Sequence, residues 1–275
     1  MNFDLTQERQ MLQDSLRRFL RERYGTGVRN EILAGDAGMS PQIWQELADL
    51  GVIGALFDDS IGGFGGGGFD LAVVFEELGR VGVVEPFLDT GVLAGGLIAD
   101  VGDAAQKAMI ADVIAGRMHL AFAHGEPASR YDLNRVETTA KAQSGQIVLS
   151  GRKAVVVNAE AADMLIVSAR ESGAVYDQVG ISLFVVPRET AGVIVQGYGL
   201  VAGGRAGEVL LEDVRLRESA RLGRAGQMFE AIEARVAAAS VAQCAQTLGT
   251  METAVALTQE YLMTRKQFGC PIGSF

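Results

Sequence analysis

Cysteine is nearly absent from this 275-residue chain: Cys244 and Cys270 are the only two, and neither has a second Cys or a His at metal-ligand spacing. A disulfide framework and a zinc site are thereby excluded, and both residues read as free thiols in a reducing compartment. Histidine is equally scarce. His119 and His124 fall on one predicted strand, five residues apart, and so project to opposite faces, which argues against a shared metal ion. No apolar run approaches the roughly 20 residues needed to cross a bilayer, and the N-terminal MNFDLTQERQ lacks the apolar core of a signal peptide. A cytoplasmic location follows as the expectation. Basic residues are outnumbered, 24 Lys and Arg against 34 Asp and Glu, for a net charge of -10. Such a surface repels nucleic acid and anionic membranes, leaving small organic substrates or other proteins as partners.

What is present is apolar content: 48% of the residues are hydrophobic and 21% charged, enough to bury a sizeable core in more than one domain. From residue 4 to about 24, Leu5, Leu12, Leu16 and Phe19 recur at helical spacing. Ser40 and Pro41 supply an N-cap and a preset first position for a helix in PQIWQELADLGVIG, which Gly51 closes. The segment IGGFGGGGF (61–69) lacks the Gly-Lys-Ser/Thr of a phosphate loop and reads as a tight connection between helices. Helical patterns continue through FDLAVVFEELGRVG, FLDTGVLAGGLIADVG and DAAQKAMIADVIAGR. Short β-branched runs then begin: HLAFAHG, VETTAKAQSGQIVLSGRKAVVV, DMLIVSAR, GISLFVVP, GVIVQGYG and GEVLLEDVRL. After Leu222-Gly223 the helical period returns for one or two long helices. The expected class is α+β: a helical domain over 1–117, a β barrel or sandwich over 118–222, and a helical segment over 223–275.

That order, together with several motifs, resembles the acyl-CoA dehydrogenase family. GEPASRYD (125–132) matches in part the family's Thr-Glu-Pro-x-Ala-Gly-Ser-Asp signature, and GRKAVVVNA (151–159) its Gly-x-Lys-x-aromatic-Ile-Thr-Asn signature. EVLLEDVRL is similar to the strand that ends its β domain, and RKQFG (265–269) to its flavin-adenosine contact. LAFAHGEPASRYDL, VVVNAEAADMLIVSAR and YLMTRKQFGCPIGSF together resemble the small subunit of pimeloyl-CoA dehydrogenases, a two-subunit branch. The resemblance implies FAD as cofactor, α,β-desaturation of an acyl-CoA thioester, an electron-transfer flavoprotein as electron acceptor, and a tetramer or a pairing with a homologous large subunit. It also implies that further chain follows Phe275, carrying the rest of the helical domain and, in most branches, the catalytic base. A chain ending there would leave half a helix bundle with an exposed apolar face.

Transferred residue by residue, the resemblance places the cofactor contacts at Phe122, His124, Gly125, Val155 and Val157 and at Arg265, Gln267 and Phe268, with Tyr131 on the substrate side. Gly125 and Val157 stand where the family has flavin-bonding threonines, and Val155 where it has an aromatic that covers the flavin face. Arg130-Tyr131 stand where Gly-Ser orients the CoA end. The base position used by some branches, ten residues before Gly249, is Ala239, which cannot take a proton; Glu230 and Glu233 read as a solvated helix face. No catalytic residue is therefore assigned within these residues. The contacts that would serve the chain's own flavin are eroded, while RKQFG, which in family tetramers reaches a neighbour's flavin, is intact. The expected function is a subunit that completes a partner's FAD site; a self-sufficient homotetrameric dehydrogenase and a non-catalytic scaffold are the alternatives.

Overall fold

The structure, a computed structural model, describes residues 4–275; residues 1–3 of the N-terminal stretch lie outside the described residues. Helices start where a short polar side chain meets the first free amides. Thr6 accepts from the Arg9 amide to open α1 (Gln7–Arg23), and Ser40 accepts from Ile43, with Pro41 at the first position, to open α3 (Pro41–Asp49). α2 (Thr26–Ala34) lies between them. The glycine-rich segment is a connection, held by the backbone of 54–58: the Gly65 amide donates to the Phe57 carbonyl and the Gly66 amide to that of Ala55, both at 2.9 Å. A Cβ on Gly63 would stand 2.0 Å from the Phe57 oxygen, so the close approach requires glycine there.

After α4 (Gly68–Val81) the chain departs from the expected helix. Over Phe87–Gly95 it winds as a wide π-helix before tightening into α5 (Gly96–Val101). Thr90 donates to the Leu120 carbonyl at 2.8 Å, and Gly91 and Gly95 pack so closely on Leu56 and Phe57 that no Cβ would fit. These tertiary contacts hold the wide turns, and such turns gather at functional sites. α6 (Ala104–Ala108), capped by Asp103, and α7 (Ile110–Ile114) complete the helical part, where the sequence suggested one longer helix.

Eight strands follow: β1 (Leu120–Ala123), β2 (Thr139–Gln143), β3 (Gln146–Val157), β4 (Met164–Arg170), β5 (Ile181–Pro187), β6 (Val193–Gly199), β7 (Arg205–Leu216) and β8 (Arg221–Leu222). Their order is β6-β7-β3-β2-β4-β5-β8, with β1 parallel to β4. β1 and β2 take successive stretches of the same edge of β4, which splits the sheet into two halves. Both halves contribute to one core through Leu149, Val209 and Leu211 on one side and Leu165, Val167 and Phe184 on the other. The packing is thus that of a sandwich, and among the described residues no hydrogen bonds close it into a barrel. The opposite face of β4 and β5, through Ile166, Leu183 and Val185, joins the core of the helical part.

One helix, α8 (Phe229–Thr264), runs 36 residues, roughly 54 Å, along the core of the helical part. It packs on α4 through paired glycines: a Cβ on Gly79 would stand 2.0 Å from the Gln246 carbonyl oxygen, and one on Gly249 2.0 Å from that of Glu76. Thr250 and Thr253 donate across the seam to the Gly79 and Arg80 carbonyls at 3.0 and 2.9 Å. Beyond this crossing Met251, Val255, Leu257, Tyr261 and Met263 are exposed. Gly249→Ala gains about 1 kcal/mol of helix propensity but inserts a methyl where the backbones touch, an overpacking cost of about 1–3 kcal/mol. The expected outcome is a lower thermal midpoint for Gly249→Ala and a larger drop for Gly249→Val; a raised midpoint for the alanine variant would show that the helices are not in contact there.

Candidate functional site

The junction between β1 and β3 is built on a buried ion pair. Lys153, wholly buried on β3, uses all three ammonium hydrogens: to Glu126 Oε1 at 2.7 Å, to Ser168 Oγ at 3.0 Å and to the His124 carbonyl at 3.2 Å. Glu126 also accepts from the Thr138 amide at 3.0 Å and the Glu137 amide at 2.7 Å. Burial raises the Glu126 carboxyl, but the lysine charge and these hydrogen bonds outweigh it and hold the group below its ordinary value. Burial lowers Lys153 to about 8, against the opposing pull of Glu126. His124 lies 2.9 Å from Ser168 Oγ and is lowered to about 3, first by burial and then by the lysine charge, so it is neutral. Ser168 accepts from Lys153 and shares a second hydrogen bond with the His124 Nδ1.

This network fixes the strand ends above it. The Ala154 amide donates to the Gly125 carbonyl at 2.8 Å, which sets Gly125 beside Val155 and Val157. The register between β3 and β7 shifts between Lys153 and Val156, and Val155 (φ +54°) and Asn158 (φ +62°) lie in the left-handed region. That conformation costs a β-branched residue about 1–2 kcal/mol, and it turns Val155 outward, 56% exposed. The Phe122 and His124 rings stack at 5.2 Å. The His124 imidazole is turned into the β domain, so a ligand contact at this position falls to backbone. The two histidines flank β1 rather than sharing it: His119 stacks on Trp44 of the helical part at 4.9 Å. Tyr131 stands at a loop tip, 98% exposed, and is not brought to the strand ends.

Next to Val157 and Asn158 lies a cavity of about 230 Å³ at the junction of the helical part, the β domain and α8. Phe87, Leu88 and Asp89 of the π-helix, Glu85, Gln246 of α8, and Glu160 and Arg205 also line it. Two of its carboxylates are satisfied. Glu85 accepts from the Tyr24 hydroxyl at 2.7 Å and the Ser40 amide at 3.2 Å, and Glu160 pairs with Arg205 at 2.5 Å. Ala239 is buried on α8, and Glu230 and Glu233 are exposed.

RKQFG lies elsewhere. α8 ends at Thr264, Arg265 is already extended, and β9 (Lys266–Gln267) pairs with β10 (Cys270–Pro271) in a hairpin. Its two-residue turn is Phe268 (φ +52°) and Gly269 (φ +85°), both left-handed as a type I′ turn demands. Phe268 is 95% exposed and touches Phe275 edge-on.

Against known families, residues 6–117 match the acyl-CoA dehydrogenase N-terminal domain and residues 121–214 the acyl-CoA dehydrogenase middle domain. The chain belongs to the acyl-CoA dehydrogenase family. It is 27% identical over its whole length to the probable acyl-CoA dehydrogenase YngJ of Bacillus subtilis, covering 73% of that protein. It is 28% identical over 98% of its length to CarC, a subunit of the caffeyl-CoA reductase-Etf complex of Acetobacterium woodii, covering 72% of it. Butyryl-CoA dehydrogenase from Megasphaera elsdenii superimposes with a TM-score of 0.90 at 27% identity, over all of this chain and 74% of that one.

Acyl-CoA dehydrogenases are FAD-dependent oxidoreductases, and the rim fits such a group in one respect that side-chain transfer does not show. Asn158, 8% exposed, lines the cavity next to Val157 and holds an enclosed Nδ2 with no hydrogen-bond partner among the described residues. Lys153 and Glu126 lie within GRKAVVVNA and GEPASRYD but were not picked out as site residues. The available signal was parity, since Lys153 falls on the same face of β3 as the buried Ile147 and Leu149. Breaking a buried pair on one side costs about 3–5 kcal/mol. Lys153→Met is expected to lose that much in chemical denaturation, and Lys153→Met with Glu126→Gln to recover part of it; equal losses would mean that the pair does not hold the junction.

Proposed function

We propose that this chain is one subunit of a heteromeric, cytoplasmic FAD-dependent acyl-CoA dehydrogenase, in which its RKQFG hairpin completes the flavin site of a neighbouring chain. The observation that carries the reading is the reach of α8. Gln246 lines the cavity that abuts Val157, whereas Arg265 stands 19 residues, roughly 28 Å, further along the same helix axis. That separation supports the reading that the two halves of the family's flavin contact serve different sites. The strained, exposed Phe268 supports the same reading, because an aromatic held in a left-handed turn with almost nothing to pack on is poised for stacking. Arg265 offers a fork of donors to phosphate or to the adenine end, and Gln267 lies beside it.

When bound, FAD supplies the hydride acceptor for desaturation next to the thioester. The residues of this chain shape the surroundings. Gly125 and Val157 offer backbone and apolar surface where the family uses threonines, Val155 leaves open the space of the missing aromatic, and the Asn158 Nδ2 is the unspent donor. Ala239, at the alternative base position, offers no group that takes a proton. The partner is a homologous large subunit, as in the pimeloyl-CoA dehydrogenase type that the motifs resemble. The kinship with CarC, a subunit of an Etf complex, supports an electron-transfer flavoprotein as electron acceptor.

The test is the flavin-to-protein ratio of the full-length chain, purified alone and after co-expression with its neighbouring dehydrogenase-like gene. The expected result is no flavin alone, about one per pair together, and loss of most of that flavin with Arg265→Ala. One flavin per chain alone, bleached by acyl-CoA, would favour a homotetramer. Flavin that is unchanged by Arg265→Ala would leave only the scaffold reading.

A further inference from the structure

The cavity beside Val157 holds two polar groups that the fold does not use. Glu85 has both oxygens engaged, and Glu160 and Arg205 neutralise each other. Asp89 differs. Among the described residues no other residue donates to its carboxylate, although burial raises it to about 7. It is half-buried by exposed surface yet hemmed in by protein, because the surface it keeps faces the cavity. The second group is Asn158, more than nine-tenths buried, a lining residue of the same cavity whose enclosed Nδ2 has no hydrogen-bond partner among the described residues. Unpaired polar groups at a cavity wall penalise an apolar occupant and reward one that pairs them.

We propose that Asp89 is the residue of this cavity that selects the acyl group, favouring thioesters whose acyl chain carries a hydroxyl and disfavouring those that end in a carboxylate. The inference rests on the reading of the cavity as the acyl slot of a flavin-dependent dehydrogenase. A hydroxyl is complementary because it donates to the Asp89 carboxylate. A terminal carboxylate has no proton to give Asp89 and, above pH about 7 where Asp89 is ionised, is repelled by it; the one guanidinium lining the cavity, Arg205, is already held by Glu160. The two-subunit organisation inferred from the motifs therefore does not bring with it a dicarboxylic substrate.

The experiment uses the full-length, flavin-loaded enzyme with its partner, and three acyl-CoA thioesters of one chain length: unsubstituted, hydroxylated at the far end, and carboxylated at the far end. Both kcat/KM and equilibrium binding to the oxidised enzyme are measured. The expected preference for the hydroxylated over the carboxylated thioester is about tenfold or more, the scale of one such contact. Asp89→Leu is expected to shift preference about tenfold toward the unsubstituted chain. Asp89→Asn, which keeps the shape and a hydrogen bond, is expected to retain hydroxyl binding while relieving the rejection of the carboxylate, and flavin content guards against a misfolded variant. Ratios that are unchanged in both variants, with flavin and thioester still bound, would overturn the assignment of Asp89 alone. Failure to bind any of the three thioesters would overturn the acyl-slot reading and this inference with it.

Discussion

The Lys153–Glu126 pair is the constraint on which the rest of the site depends. It adds a side-chain tie among three pieces of chain: the exit of β1 through the His124 carbonyl, the middle of β3, and β4 through Ser168. An ammonium and a carboxylate taken out of water are tolerable only when every hydrogen and lone pair is used, and here three donors meet three acceptors while two backbone amides complete the carboxylate. With that node fixed, the end of β3 has no freedom to relax. The register shift, the left-handed Val155 and Asn158, and the opening of the cavity beside Val157 all follow from strand ends that are pinned below and released above.

The division of labour in the fold is physical in origin. β1, β4 and β5 are apolar on both faces and so bind the helical core to the β core, while α8 packs on the helical core and continues outward. A stiff helix locked to α4 by paired glycines carries whatever stands at its end to a defined place. What stands there is a hairpin whose turn holds Phe268 in a conformation that glycine prefers. The same helix contributes Gln246 to the cavity and Arg265 to a point far from it, so one rigid element serves an internal site and an external one.

Much of this was legible in the residues. The caps at Ser40 and Pro41, the change of period after 117, and the string RKQFG each depend on local chemistry that sequence displays directly. The Phe87–Gly95 π-helix was not legible, because its wide turns are held by Thr90 reaching Leu120 and by glycines packed on Leu56 and Phe57, contacts made thirty or more residues away. RKQFG itself was ambiguous as structure, since a basic residue followed by glycine also ends helices; only the pairing of Lys266–Gln267 with Cys270–Pro271 makes it a hairpin. Lys153 and Glu126 sit 27 residues apart, and nothing in either residue alone announces a buried partner. The cavity carboxylates were invisible for the same reason: whether Glu85, Asp89 or Glu160 is engaged is decided by Tyr24, Ser40 and Arg205.

The central claim is that this chain lends its hairpin to a flavin held by another. The most direct measurement is an experimental structure of the complex co-expressed with its partner and loaded with FAD, read at Arg265 and Phe268. The account predicts the Arg265 guanidinium and the Phe268 ring against the adenosine half of an FAD whose flavin ring rests on the other chain. An FAD bound within one chain, with Arg265 and Phe268 still in solvent, would contradict it.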